Sequence, residues 1–208
     1  MDAYRVPFEN TESEFVEKRS RFISHIWRVE TEAEARAHIE EMKKKYYDAR
    51  HNCWCYAIKD GPVRYSDDGE PQGTAGVPML EVFQRQNVTN FVCVVTRYFG
   101  GVLLGAGGLL RAYTKSAKDA LDAAGIAVVR RWVEVRLPCS YSLLERLKKE
   151  TEAMDGIVTD VEYGAGVTIL ALLPEENAPA YSARIFDVTS GTVTPEVTGE
   201  TFRPVRIS

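Results

Sequence analysis

Two neighbouring segments carry the densest chemistry in this 208-residue sequence: Arg97-Tyr98-Phe99-Gly100-Gly101, and Gly105-Ala106-Gly107-Gly108-Leu109-Leu110-Arg111. A strand that ends at Tyr98 and a helix that begins after Gly105 would place free backbone N–H groups, and the positive end of a helix dipole, beside the glycines. Glycine lets those amides come close to a ligand and permits positive φ. Arg97 and Arg111 are expected to flank one spot, and their guanidinium forks suit phosphate. Tyr98 and Phe99 offer faces on which a base or ring can stack. Between Glu81 and Asp119 there is no acidic residue, while the same stretch holds Arg85, Arg97, Arg111, Lys115 and Lys118. Lys18-Arg19-Ser20-Arg21 would extend that positive face. The expected anion or nucleic-acid site therefore comprises Lys18, Arg21, Arg97, Tyr98, Phe99, Gly100, Gly101, Gly105, Gly107, Gly108, Arg111 and Lys115. No P-loop G-K-[ST] is present, and the segment from Gly105 lacks the last glycine of G-x-G-x-x-G. Close helix–sheet packing is the alternative role for Gly107 and Gly108.

Ser66-Asp67-Asp68-Gly69-Glu70-Pro71-Gln72-Gly73 is the second constellation. Asp67, Asp68 and Glu70 are candidate ligands for a hard cation such as Mg²⁺ and candidate general acid–base groups. The alternative is a turn, because Asp-Gly and Glu-Pro favour turns and Asp oxygens accept local amides. His51 and Cys53 stand two positions apart and share a strand face, as a Cys–His nucleophile would require, but no orienting third group accompanies them. A hydrogen-bonded His is the plainer reading. Cys53, Cys55, Cys93 and Cys139 have no metal-ligand spacing and read as reduced structural thiols.

The bulk properties bound these readings. The net charge of −4 excludes a whole-surface trap for polyanions or membranes, so any such binding must be local. No apolar run approaches the roughly 20 residues that span a bilayer, and the first residues lack a signal-peptide core. A soluble, cytoplasmic chain without membrane partners is expected.

The elements that must position the candidates follow from periodicity. Thr31-Glu32-Ala33-Glu34 is a capping box ahead of the helical stripe Ala35, Ile39, Met42 and Tyr46. A second helix should follow Gly105, burying Leu110, Tyr113, Ala117, Leu121 and Ala124, and stop at Gly125. A third is expected over 142–154, capped by Ser142 and ended by Gly156. Strands are expected within 15–28, over 53–58 and 63–66 as a hairpin, and over 90–98 with both faces covered. From 132 onward the order is strand, helix, strand (157–163), strand (167–173), helix (about 178–188) and strand (192–198). In the 157–163 strand Ile157, Thr159, Val161 and Tyr163 alternate with acidic residues. That βαββαβ order is ferredoxin-like. The expected division is a first domain over 1–129 and a second over 130–208. The fold class is α+β.

Read together, Lys18–Ile23, Ser66–Leu80 and Val94–Leu110 resemble bacterial members of the IMPACT family over essentially the whole chain. The strings Ser-Asp-Asp-Gly-Glu-Pro-Gln-Gly-Thr-Ala-Gly-Val-Pro-Met-Leu and Val-Val-Thr-Arg-Tyr-Phe-Gly-Gly-Val-Leu-Leu-Gly-Ala-Gly-Gly-Leu-Leu-Arg-Ala-Tyr carry the likeness. The resemblance implies an amino-terminal α/β sandwich like that of a small-subunit ribosomal protein and of elongation factor G domain IV. It implies a second domain like domain V of that factor. Eukaryotic relatives with an added amino-terminal module act in translational control by interfering with activation of a kinase. Nothing in this sequence matches that module, so what carries over is a role near RNA, the ribosome or the translation machinery. This non-enzymatic role in regulation of translation is the first expectation. The alternatives are an enzyme acting on a small phosphorylated or nucleotide-like substrate with a carboxylate or metal site, and a protein-interaction module. Kinases that share the sandwich carry serines in the glycine loop, which are absent after Gly107, and this counts against phosphoryl transfer.

Overall fold

The structure, a computed structural model, describes residues 3–207. Alternating apolar residues give strands β1 (Tyr4–Pro7), β2 (Thr11–Glu17), β3 (Ser20–Arg28), β4 (His51–Ala57), β5 (Val63–Ser66) and β6 (Phe91–Tyr98). Between them lie helices α1 (Glu32–Lys45), α2 (Gly76–Arg85) and α3 (Ala106–Ala124). The chain then forms β7 (Ile126–Cys139), α4 (Leu144–Ala153), β8 (Ile157–Tyr163), β9 (Val167–Pro174), α5 (Ala178–Thr189) and β10 (Glu196–Arg206). The fold is α+β. Two compact units result: Tyr4–Val129 with residues 204–207, and Arg130–Arg203 with Ala3. Among the described residues no helix is long and apolar enough to cross a membrane.

The first unit is built on a five-stranded sheet in the order β2-β3-β6-β4-β5, and every pairing is antiparallel. Strand β6 is central, so both of its faces must be covered. Phe91, Cys93 and Val95 pack under α2 and α3, while Val92 and Val94 pack under α1. Helix α1 begins as expected: Thr31 Oγ1 accepts from Glu34 N at 3.2 Å. The reciprocal arm reaches one residue further back, where Glu30 N donates to the Glu34 carboxylate at 2.7 Å.

Helix α3 is framed by Gly105 (φ 71°) and Gly125 (φ 68°), both in the left-handed region that favours glycine. Its buried stripe runs Leu109, Ala112, Tyr113, Ser116, Ala117, Ala120, Leu121 and Ala124. Leu109, not the expected Leu110, belongs to it. Leu110 lies one step round the helix and stays exposed, facing the groove between α2 and α3. Helix α2 does not announce itself in the sequence. It has no capping side chain of its own at Ala75, and Pro78 discourages a helical reading. Yet proline is harmless in a first turn, where its missing N–H is not needed.

The second unit has the sheet order β8-β9-β7 with β10 on β7, which is the ferredoxin-like arrangement for a βαββαβ chain. Its core joins Val133, Val135 and Leu137 of β7 to Ile169 and Leu173 of β9, beneath Leu147 of α4 and Tyr181 and Ile185 of α5. Three expectations need correction here. Ser142 does not cap α4: a 3₁₀ turn over Tyr141–Leu143 intervenes, and the Ser142 hydroxyl pairs with that of Ser140 at 2.9 Å. A register shift in β8 between Val158 and Asp160 turns Val158 and Val161 inward and leaves Ile157 exposed, because a bulge adds one residue to the alternation. The last strand begins at Glu196, after a turn with Ser190 (φ 52°) and Gly191 (φ 75°).

One backbone approach controls the site end of the first unit. A Cβ at Gly100 would overlap the Arg19 carbonyl group and the Ser20 nitrogen, so the loop after β6 lies directly on the β2–β3 turn. Gly100 N also donates to Ser20 Oγ at 3.2 Å. Gly100→Ala should destabilise the protein by about 3 kcal/mol, the upper range for overpacking, read as a lower urea midpoint at unchanged slope. Gly107→Ala is the comparison: its nearest contact would be the Arg111 guanidinium at an ordinary 3.6 Å, and stability should change little.

Candidate functional site

Three adjacent strands put His51, Arg97 and Phe22 in one row on the α2/α3 face of the sheet, by the pairings His51↔Arg97 and Phe22↔Arg97. Arg97 is only 5% exposed. A buried guanidinium needs a counter-charge, and Glu70 supplies it: Arg97 Nη1 donates to Glu70 Oε1 at 2.7 Å. The same oxygen accepts from the Tyr113 hydroxyl of α3 at 2.9 Å. Arg97 Nη2 lies 3.4 Å from Ser20 Oγ, and the guanidinium sits 5.6 Å from each of the Phe22 and Phe99 ring centroids. Burial pushes the Tyr113 phenol far up, and the neighbouring Cys53 and Glu70 push it further, so it stays a hydrogen-bond donor.

The acidic segment before α2 is a scaffold. Asp67 accepts three backbone N–H groups: Gly73 N at 2.8 Å, Ala75 N at 3.0 Å and Gly76 N at 2.8 Å. It thereby caps α2 from nine residues away, a contact no local pattern reveals. Asp68 accepts Asn52 N at 2.6 Å, and its own carbonyl receives His51 Nδ1 at 2.8 Å. Glu70 turns inward to Arg97. The three carboxylates therefore point at three different partners, and no group of three or more His, Cys, Asp or Glu residues able to hold a metal ion occurs among the described residues.

His51 and Cys53 do face the same side, but the thiol donates to the Asp67 carbonyl at 3.0 Å. Burial pushes Cys53 far up, holds Cys55 well above its usual value, and raises Cys93 to about 12. A protonated, buried thiol is a poor nucleophile.

The expected basic cluster divides between two concavities of the first unit. Arg97, His51, Glu70, Arg50, Phe99 and Leu103–Leu104 line a cavity of about 350 Å³ together with Gly105 and Ala106 at the α3 start. Lys18, Arg111, Lys115 and Gly108 line a separate one of about 230 Å³ with Phe15 and Glu17. Arg97 and Arg111 thus flank different spots. Arg21 is held by a bidentate pair with Glu14 at 2.7 Å, and Lys115 is paired with Asp119. The Tyr98 hydroxyl donates to Asp48 at 2.7 Å, a bond that pushes its phenol up to about 12. Gly101 takes a left-handed φ of 82°. Arg50, Ser20, Leu103 and Tyr113 were not anticipated as site residues. Tyr113 left a signal, since a tyrosine on a buried stripe needs a partner for its hydroxyl.

Glu70→Ala should cost about 3–5 kcal/mol in urea denaturation, because it leaves the Arg97 charge buried and unpaired. Glu70→Gln, which keeps an acceptor for Tyr113, should cost less. For the thiols, Ellman's reagent at mildly alkaline pH should leave Cys53, Cys55 and Cys93 unlabelled until the protein is unfolded. Rapid labelling of Cys53 in the folded state would restore it as a nucleophile.

Residues 18–121 match the Impact N-terminal domain, and residues 137–192 match a domain of unknown function, DUF1949. The chain is 37% identical over 193 residues to IMPACT family member YvyE of Bacillus subtilis, covering 92% of this chain and 89% of that protein. It is 34% identical to IMPACT family member YigZ of Escherichia coli, covering 85% and 88% respectively. A Dictyostelium discoideum Protein IMPACT homolog is 35% identical over 106 residues, which are 48% of this chain and 30% of that protein. A solved structure described as a crystal structure of an hypothetical protein superposes with a TM-score of 0.60 at 31% identity, over 95% of this chain and 98% of that one. The two domain matches, in this order and with relatives of this coverage, show that the chain belongs to the IMPACT family.

Proposed function

We propose that this protein is a non-enzymatic binder of structured RNA, with the ribosome as its principal context, and that it acts in regulation of translation. One observation carries the reading. Lys18, Arg19 and Arg111 gather around the β2–β3 turn and the first turns of α3, and among the described residues none of the three has an ion-pair partner. On α2 and later in α3, by contrast, Arg85, Lys115 and Lys118 each pair with an acid one turn away, Glu81, Asp119 and Asp122. Cations at an exposed turn suit phosphate oxygens, which supply most of the affinity in nucleic-acid binding. The turn is also held in a demanding shape. Lys18 (φ 45°) and Arg19 (φ 67°) both occupy the left-handed region, as a two-residue hairpin with this twist requires, although neither is glycine. Such strain persists where the surroundings over-determine it, and here Gly100 lies against it.

The occupied state of Asp67, Asp68 and Glu70 weighs against a carboxylate enzyme, and this reading calls on no cofactor. The family resemblance to proteins of translational control points the same way as the charges, by analogy of fold.

Fluorescence anisotropy with structured RNA and with isolated ribosomal subunits tests the proposal. Binding should weaken steeply with salt. The combined Lys18→Ala, Arg19→Ala, Arg111→Ala variant should lower the salt slope by about 0.7–0.9 for each phosphate contact removed. No binding at low salt, or binding indifferent to the triple substitution, overturns it.

A further inference from the structure

We infer that the 350 Å³ cavity lined by Arg50, His51, Arg97, Phe99, Leu103 and Gly105 is a binding site for a 5′-phosphorylated nucleoside. The volume lies in the range of small-ligand pockets. The inference is independent of the RNA reading, since it concerns a different cavity and a different exposed cation.

The floor of the cavity is polar, formed by Arg97, His51 and Glu70. Arg97 is 5% exposed, and its Nε–H finds no acceptor among the described residues. His51 donates from Nδ1 to the Asp68 carbonyl, which turns Nε2 toward Glu70 Oε1, 3.9 Å away. A ligand hydroxyl both donates and accepts, so it can bridge that gap. A buried N–H without an acceptor, like that of Arg97, is unusual in a finished protein interior.

The mouth is built for the opposite charge. Helix α3 starts at Gly105 with no capping side chain, so its first amides keep their donors. Arg50 is exposed beside it and has no ion pair among the described residues. At the floor, the Glu70 charge is already matched by Arg97, and a phosphate placed there would meet the carboxylate. The anionic group therefore belongs at the mouth, with hydroxyl groups inward toward His51. The side wall completes the fit. Phe99 is 40% exposed and Leu103 is 83% exposed, although both border a cavity. An aromatic ring and a leucine left open at a mouth suit a flat heterocycle. A phosphate alone would leave that wall and His51 unused, and an unphosphorylated nucleoside would leave the α3 amides and Arg50 unused.

The same chemistry is offered by a free nucleotide and by the phosphorylated 5′ end of an RNA strand. Titration of the ¹⁵N-labelled full chain with AMP, GMP, CMP and UMP, with the matching nucleosides, with inorganic phosphate and with a 5′-phosphorylated trinucleotide separates them. At least one nucleotide should give saturable amide shifts at residues 50–51, 99 and 105–107, with nucleosides and phosphate binding more weakly. Arg50→Glu should weaken that binding at least about tenfold, the effect expected on losing one charge-assisted contact. Arg64→Glu, an equal charge change on the α1 face of the sheet, should not. Arg50 is a surface residue, so its variant tests binding and not folding. Tighter binding of the trinucleotide assigns the site to a strand end, and equal or weaker binding assigns it to the free nucleotide. Absence of saturable shifts at these residues at millimolar ligand overturns the inference, as does an unaltered affinity in Arg50→Glu.

Discussion

A guanidinium buried on the central strand of a sheet demands a carboxylate within reach, and much of the first unit is arranged around meeting that demand. Arg97 occupies β6, where neighbours on either side leave little water, and Glu70 is folded inward to pair with it. Bringing Glu70 in requires the segment after β5 to turn sharply, and Asp67 and Asp68 hold that turn by accepting backbone amides. The same turn starts α2. Tyr113 then ties α3 to the pair through its hydroxyl. One electrostatic requirement thus links β6, the acidic segment and both helices of this face.

The pair itself is weak evidence for net stability, because desolvating two ions offsets most of their attraction. Its value lies in specificity. Any packing that separates Glu70 from Arg97 strands a charge, so alternative placements of the 67–74 segment are costly. Aromatic rings complete the shell, with Phe22 and Phe99 on the guanidinium and the Ser20 hydroxyl near Nη2. Arg97 Nε is left buried without an acceptor among the described residues, while Arg97 and His51 as residues line the cavity.

The charge pattern changes meaning in three dimensions. Along the chain, the stretch between Glu81 and Asp119 looks uniformly basic. In space its ends are neutralised by those same two acids, which pair with Arg85 and Lys115, and Lys118 finds Asp122. Arg97 is consumed by Glu70, and Arg21 by Glu14. Lys18, Arg19, Arg50 and Arg111 are among the cations with no ion pair among the described residues, and of these four Arg50 was not expected from the sequence. A linear count locates a basic region, whereas the roster of available charges depends on which acids the fold brings alongside.

The sequence by itself determined the local events. The Thr31 cap, the glycines that bound α3, the hairpin of β4 and β5 and the βαββαβ order are all set by contacts within a few residues or by a repeating period. The family likeness was also legible, because it rests on long strings. Tertiary structure alone decided the events that depend on distant partners. Helix α2 was hidden because its cap, Asp67, sits nine residues before its first amide. The bulge in β8 was hidden because it is defined only against β9. Asp67, Asp68 and Glu70 read equally as metal ligands, acid–base groups or turn formers, since spacing does not say which way a carboxylate points. In the fold each of the three meets a separate donor. Arg97 and Arg111 stand fourteen positions apart in an acid-free stretch, yet strand and helix carry them to different concavities. Proximity in sequence fixes neither the face on which a side chain emerges nor the counter-charge that meets it there.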